Sequence, residues 1–509
     1  MKIHNLINLV ALSGVSIGAL NHSCTKEIKK PNILFILTDD QSPMELKTYG
    51  NQVCQTPNID ELAAGGMTLT AAYHMGSYIS AVSLPSRRQI MTGRNVWRTK
   101  DFVSMPQPAN YIHTPSESNA SLKPEDPAYY SMPAVFNRAG YITFRTCKIG
   151  NSYENANKLF TYRYDKTCIM ADDENGSKWH GDKALEFLEM RESQKQKQPF
   201  LMYLGFSHPH DPRYAKKEFY NKYGAFDEPP AVPNPKAPPL PFNYLPKHPF
   251  NYRNIRNMRD ESNVQGVMTR RDESTIRNET GRMYACVDNI DVQIGRVLKK
   301  LKEMGELENT YIFFTSDQGY ALGRHGLLGK QNLYEHTWRV PLIVRGQGIK
   351  AGSRALGNTY LFDILPTMCD MAGIEQPQTC DGKSFLPVLK GRTKTIRDVL
   401  YGVFHEDPDP GVRAVKKGYW KLIKYDVYNG QVHETQLFNL KENPDELLKD
   451  HQDTSVIRLT GNKPMPNQLN LANDSKFADK LKEMEQLLLE QQIKYNDPYR
   501  LWDQPAMVK

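Results

Sequence analysis

The chain reads as an α/β fold, with a large, mostly parallel sheet covered by helices on both faces and a smaller α+β subdomain after it. Three observations predict this. Short apolar runs that look like buried strands occupy residues 32–38, 200–206, 311–315 and 340–344. Helical patterns lie between them. The best runs through Val287, Ile290, Ile294, Val297, Leu298 and Leu301, one face of a 3.6-residue period. After about Arg392 the texture changes to short strand-like pieces at 412–415 and 420–425. An amphipathic helix through Phe477, Leu481, Met484, Leu487 and Leu488 closes the chain. Strands that alternate with helices favour a parallel sheet. A length of 509 residues exceeds the size at which one core stops growing, so two unequal parts are expected.

Hydrophobic content of 39% with 24% charged residues excludes disordered and fibrous classes. At the amino terminus Lys2 precedes an apolar stretch from Leu6 to Leu20, too short to span a bilayer, which reads as an export signal. Cys24 follows it, either as the lipid acceptor of a bacterial lipoprotein or beyond a simple cleavage site. The expected organisation is therefore a signal over 1–24, a large domain over 25–392 and a smaller subdomain over 393–509. No transmembrane segment is expected in the mature chain. The other cysteines are Cys54, Cys147, Cys168, Cys286, Cys369 and Cys380; they are either buried thiols or form disulfides, with Cys369/Cys380 and Cys147/Cys168 closest in sequence. A net charge of +8 suits an anionic substrate. No groove-reading motif or aromatic-basic alternation accompanies it, so no nucleic-acid partner is expected. The Pro-rich stretch 226–249 reads as a surface connector or part of a substrate rim.

In open α/β sheets, ligands bind beyond the carboxyl ends of the strands. The first apolar run ends in Asp39-Asp40, the second in His208-Pro209-His210 and the third in Asp317-Gln318. Adjacent carboxylates repel unless a cation lies between them. A carboxylate-amide set of this kind suits a hard ion, Ca²⁺ or Mg²⁺, better than Zn²⁺. The run Ser83-Leu84-Pro85-Ser86-Arg87, continued to Thr92-Gly93-Arg94, reads as a Pro-containing helix start, which by itself stabilises an anion.

That run, with Thr56-Pro57-Asn58-Ile59-Asp60, Pro209-His210-Asp211-Pro212, Thr315-Ser316-Asp317-Gln318-Gly319, Gly323-Arg324-His325-Gly326, Lys330 and Tyr334-Glu335, resembles the type I sulfatases of the alkaline-phosphatase-like superfamily. The likeness extends over nearly the whole mature chain and keeps the family's order. It implies a mixed, mostly parallel sheet sandwiched by helices, with an antiparallel sheet in the C-terminal subdomain. Ser83 would be oxidised to formylglycine by a maturation enzyme. Asp39, Asp40, Ser83, Asp317 and Gln318 would bind Ca²⁺. Arg87 would hold the nucleophile, Lys148 and Lys330 would grip the sulfate, and His210 would protonate the leaving alcohol. Ser in place of Cys at this position implies a radical-type maturation enzyme of an anaerobic bacterium; an engineered Cys→Ser change would read the same.

One position departs from the family. Many relatives carry a His two residues after the lysine equivalent to Lys148, where this chain has Gly150 and then Asn151. His208, His180 and Asn151 are the alternatives for that role. His325, Arg324, His208, His405 and Arg413 are expected to contact the sugar. The implied substrate is a sulfated carbohydrate: galactose, N-acetylgalactosamine or glucosamine, with a lean to a 4-O-sulfate. The implied location is the periplasm, or the outer membrane as a lipoprotein, of a Gram-negative bacterium. Two rival readings stand beside this one: a phosphomonoester or phosphonate hydrolase using unmodified Ser83, and a glycan-binding protein without catalysis.

Overall fold

Three apolar runs become neighbouring strands of one sheet because each is buried on both faces and has no polar side to turn outward. The computed structural model describes residues 29–102, 111–113, 122–194, 198–250, 260–261, 264, 266–405 and 409–506. The signal reading and Cys24 lie outside these residues. In chain order the strands are β1 (Asn32–Thr38), β2 (Met67–Tyr73), β3 (Gly76–Ser77), β4 (Tyr111–His113), β5 (Ile142–Cys147), β6 (Tyr162–Asp165) and β7 (Phe200–Gly205). They continue with β8 (Thr310–Ser316), β9 (Arg339–Arg345), β10 (Ser353–Tyr360), β11 (Val399–Phe404), β12 (Gly411–Lys417), β13 (Trp420–Val427) and β14 (Val432–Asn439).

The first sheet is ordered β10-β2-β9-β8-β1-β7-β5-β6-β4. Its centre, β8-β1-β7-β5, is parallel throughout. Thr38 sits opposite Ser316, and Leu37 opposite Gly205, so these strands end at one level. β9 runs antiparallel to both neighbours. The reason lies in its connection: from 317 to 338 the chain stays on the rim where β8 ended, so the next strand must run back. The long helix Glu273–Glu303 buries its predicted apolar face, including Ile290, Ile294 and Val297, against β1 and β8 residues such as Leu34 and Phe314.

The second sheet is ordered β14-β13-β12-β11-β3, antiparallel except where β3 joins β11 in parallel. The helix Ala478–Lys494 packs on it through Met484 and Leu488. Two links tie it to the first sheet. Lys421 on β13 donates to Glu335 at 3.1 Å, and Glu335 also accepts from Tyr73 at 2.9 Å. The second link is β3, which lies on the path from β2 to Ser83. Gly76 has φ 106°, and a Cβ there would stand 1.7 Å from the carbonyl oxygen of Val403. Gly76→Ala is expected to cost at least about 3 kcal/mol, because both the conformation and the contact are lost. Urea unfolding checks this; a loss below about 1 kcal/mol would contradict the close approach.

All six cysteines in the described residues are free thiols, so the disulfide alternative is not realised there. Among the described residues no helix is long and apolar enough to cross a membrane.

Candidate active site

The neighbouring ends of β8, β1, β7 and β5 deliver Asp317-Gln318, Asp39-Asp40, His208-His210 and Lys148 to one rim. Backbone bonds lock the ends together: Asp39 N–H donates to His208 C=O at 3.2 Å, and Asp317 N–H to Thr38 C=O at 3.2 Å. The helix Ser83–Thr92 brings its first turn to the same place. Pro85 is tolerated there because first-turn N–H groups have no helical partner, and Gly93 at φ 67° ends the helix. Ser83 and Arg87 are four residues apart, hence on one face.

Ser83 Oγ donates to Asp39 Oδ1 at 3.3 Å and accepts from Gln318 Nε2 at 2.9 Å. Arg87 is fully buried and bridges three groups: Asp317 through Nε at 2.9 Å, Asp39 through Nη2 at 2.9 Å and the Cys147 thiol through Nη1 at 3.0 Å. Lys330 Nζ lies 2.9 Å from both Asp40 oxygens, and Lys148 pairs with Asp39. The His210 ring is a quarter exposed. Its Nδ1 donates to the Asp211 carbonyl at 2.7 Å, which leaves Nε2 facing Asp40 at 3.9 Å. A carbonyl can only accept, so this bond fixes the tautomer.

Three carboxylates and three cations thus share a water-poor cluster. Burial would raise Asp39, but Lys148 and Arg87, with help from His210 and Lys330, hold it well below the usual carboxylate range. Asp317 goes the other way: burial and then the Asp39 charge push it up to about 6. Burial opposes protonation of Lys330, yet Asp40 keeps it firmly charged.

A hard divalent ion fits the residues present. The ligand atoms of Asp39, Asp40 and His210 come within 4.8 Å of one another. Gln318 Oε1 is buried without a partner while Nε2 faces Asp40 and Ser83, and turning the amide over would offer that oxygen to such an ion.

The expectations for the sugar contacts fare differently. His325 is fully buried at the tip of the hairpin whose base carries Lys330. Its ring stacks on Tyr334 at 3.9 Å and lies 5.1 Å from His451, packed inside the core. His405 is 2% exposed and stacked on Tyr499 at 4.1 Å. Arg413 is buried in a two-pronged bond to Asp497, at 2.6 and 3.1 Å. Arg324 keeps 12% side-chain exposure and faces Glu45 at 3.9 Å. His208 is buried with Nδ1 3.0 Å from Ser177 Oγ, and burial lowers its pKa to about 4.

Arg413→Met is therefore expected to lower stability by about 3–5 kcal/mol, since it strands the buried Asp497 carboxylate. Calorimetry and kinetics below the new transition check it. A raised KM with an unchanged Tm would support Arg413 as a substrate contact.

The residues proposed to replace the missing family His do not touch Ser83 Oγ, whose partners are Asp39 and Gln318. Asn151 is exposed, and His180 is held between Thr146 and Ser207, at 2.7 and 3.1 Å. Sequence reasoning missed Cys147, which follows from its place one residue before Lys148. It also missed Asp260, which accepts from the Leu328 and Gly329 N–H groups at 2.9 and 2.7 Å and so braces the turn before Lys330.

A family profile described as Sulfatase matches residues 31–374, and one described as N-sulphoglucosamine sulphohydrolase, C-terminal, matches 323–487. The chain is 26% identical to an N-acetylglucosamine-6-O-sulfatase of Bacteroides thetaiotaomicron, over 98% of this chain and 92% of that one. It is 25% identical to human arylsulfatase K, over 87% and 83%. Among solved structures, one in complex with its substrate D-glucosamine-2-N,6-O-disulfate aligns at TM-score 0.64 and 25% identity, covering 92% of this chain and 99% of that one. A 2-O glycosaminoglycan sulfatase aligns at TM-score 0.67 and 22% identity, covering 93% and 94%, a likeness of fold.

Proposed function

The chain belongs to the sulfatase family, and from that premise we propose that it removes sulfate from a sulfated carbohydrate at Ser83, matured to formylglycine. The observation that carries this reading is the setting of Ser83: a helix-start hydroxyl at the strand-end carboxylates, with Arg87 one turn away and two buried lysines beside it. Asp39, Asp40, Ser83, Asp317 and Gln318 would hold Ca²⁺. Formylglycine supplies a hydrated aldehyde, with one oxygen for attack at sulfur and a second for expulsion of the sulfate.

The chain's own residues do the rest. The three carboxylates balance Arg87, Lys148 and Lys330, so a bound divalent ion leaves a net positive pocket that draws a sulfate ester. Lys148 and Lys330 hold the sulfate oxygens and offset charge that builds on them. Arg87 keeps Asp39 and Asp317 apart and aimed. His210, carrying a proton on each ring nitrogen, gives the Nε2 proton to the departing sugar oxygen and is left as the Nδ1–H form, because an alkoxide leaves poorly. Its fixed Nδ1 bond to Asp211 aims that proton.

Two relatives, the N-acetylglucosamine-6-O-sulfatase and the structure bound to D-glucosamine-2-N,6-O-disulfate, are glucosamine-directed by name, which puts N-acetylglucosamine 6-sulfate first for assay and a galacto-configured 4-sulfate second. Export to the periplasm or outer membrane is part of the same proposal, since such polymers lie outside the cytoplasm. The test compares sulfate release with phosphate-ester turnover on protein from its natural host. Sulfate release dominates if the reading holds, and EGTA lowers it at least about 100-fold, with Ca²⁺ restoring it. Faster phosphate-ester turnover by an unmodified Ser83 would put the phosphatase-type reading in its place.

A further inference from the structure

We infer that a second binding site for a sulfated glycan chain lies on the far edge of the first sheet, away from Ser83. It rests on the proposed substrate class and extends it from the cleaved residue to the polymer that carries it. The site is a pocket of about 770 Å³ between β10, the loop at 388–394 and the turn joining β12 to β13.

Its charge is one-sided. Lys350, Arg354, Lys390, Arg392 and Lys394 line it, and no carboxylate does. All five are exposed, and among the described residues none pairs with an acidic side chain. Exposed lysines such as Lys441, Lys463 and Lys476 also pair with no acidic side chain among the described residues, but here the cations share one pocket with no carboxylate neighbour. Five without one, around a single concavity, concentrate positive potential there.

Two of the five are already held in place. Arg354 Nη1 donates to Thr48 C=O at 2.8 Å, and Lys390 Nζ to Gln347 C=O at 2.9 Å. Anchored heads lose less freedom on meeting an anion. The pocket also offers apolar surface: Leu356 is 50% exposed, and Tyr419, at the strand turn, is 59% exposed. Cations beside exposed apolar faces match a sulfated sugar chain, whose rings have apolar faces and whose substituents are anions. A recessed pocket suits a chain better than a flat lipid surface.

Position separates this site from the catalytic one. β10 is the edge strand, four positions from β1, or about 19 Å at about 4.8 Å per strand. A polymer held there stays near the enzyme between cleavage events, as in any bivalent contact.

Heparin is the probe, with unsulfated dextran and phosphatidylglycerol vesicles as controls, on the full chain at about 0.1 M salt. The pocket variant is R354Q/R392Q/K394Q. The charge-matched variant is K441Q/K463Q/K476Q, at exposed lysines elsewhere. The pocket variant is expected to bind heparin at least tenfold more weakly, the matched variant within twofold of the parent. Both should hydrolyse a small monosaccharide sulfate within twofold of the parent rate. Equal loss in the two variants would overturn the site in favour of net charge alone. Vesicle binding as tight as heparin binding, and lost with the pocket, would assign the anion to lipid and overturn the glycan. If the parent releases no sulfate from any sugar yet the heparin difference persists, the proposed activity fails and the second site stands.

Discussion

Ser83→Ala is expected to abolish sulfate release, lowering kcat by at least about 10⁴-fold, because in the proposed reaction it removes the oxygen that bonds to sulfur and no neighbour can supply it. The nearest groups, Asp39 and Gln318, are already committed to the Ser83 hydroxyl and the metal set. The fold changes little. Ser83 makes two hydrogen bonds, so its loss costs about 1–2 kcal/mol, and urea unfolding should show that. The combination is the informative part: near-parental stability with no turnover. An alanine variant that kept even one hundredth of the parental kcat would show that attack at sulfur starts elsewhere, for instance from a metal-held water.

Arg87→Met has the opposite balance, with large effects on both stability and rate. The guanidinium is the shared partner of Asp39 and Asp317, and all three are fully buried. Methionine fills comparable space without charge, and leaves two carboxylates facing each other in a dry site. Stranding buried charges of this kind costs about 3–5 kcal/mol. The rate should fall by a further 10²–10³-fold, roughly, as the carboxylates lose their alignment. Arg87→Lys separates the two effects. Lysine keeps the charge but cannot reach Asp39, Asp317 and Cys147 together, so stability recovers more than rate does. If Arg87→Lys restored full activity, the fork geometry would have no role and only its charge would matter.

The parts of this protein that sequence reveals are those where burial writes a simple pattern. β1, β7 and β8 are apolar on both faces and break abruptly into Asp39, Ser207-His208 and Asp317, so both the strands and the rim they feed could be read directly. An apolar run carries no direction, however. The reversal of β9 depends on the chain staying on the rim from 317 to 338, which no local signal announces. β2, with the sequence Met-Thr-Leu-Thr-Ala-Ala-Tyr, is too mixed in polarity to stand out, though it is paired on both sides, between β10 and β9.

The site followed the same division. Asp39, Asp40, Asp317, Gln318, Ser83, Arg87, Lys148, His210 and Lys330 converge because strand ends and a helix start are positions a motif can encode. Other polar side chains are satisfied at long range. Arg413 finds Asp497, 84 positions away, and His325 finds His451 across 126. Composition suggests that such a histidine or arginine meets solvent or ligand, and only the fold shows the partner that buries it. Cys147 is a milder case, a thiol whose part in holding Arg87 depends wholly on the strand beneath it.

The central claim is that Ser83 is matured before it acts. Mass spectrometry of the peptide around Ser83, from protein purified in active form from its natural host, tests it most directly. The predicted result is loss of two hydrogens at Ser83 with aldehyde reactivity, in proportion to specific activity. An intact serine in protein that releases sulfate at full rate would contradict it.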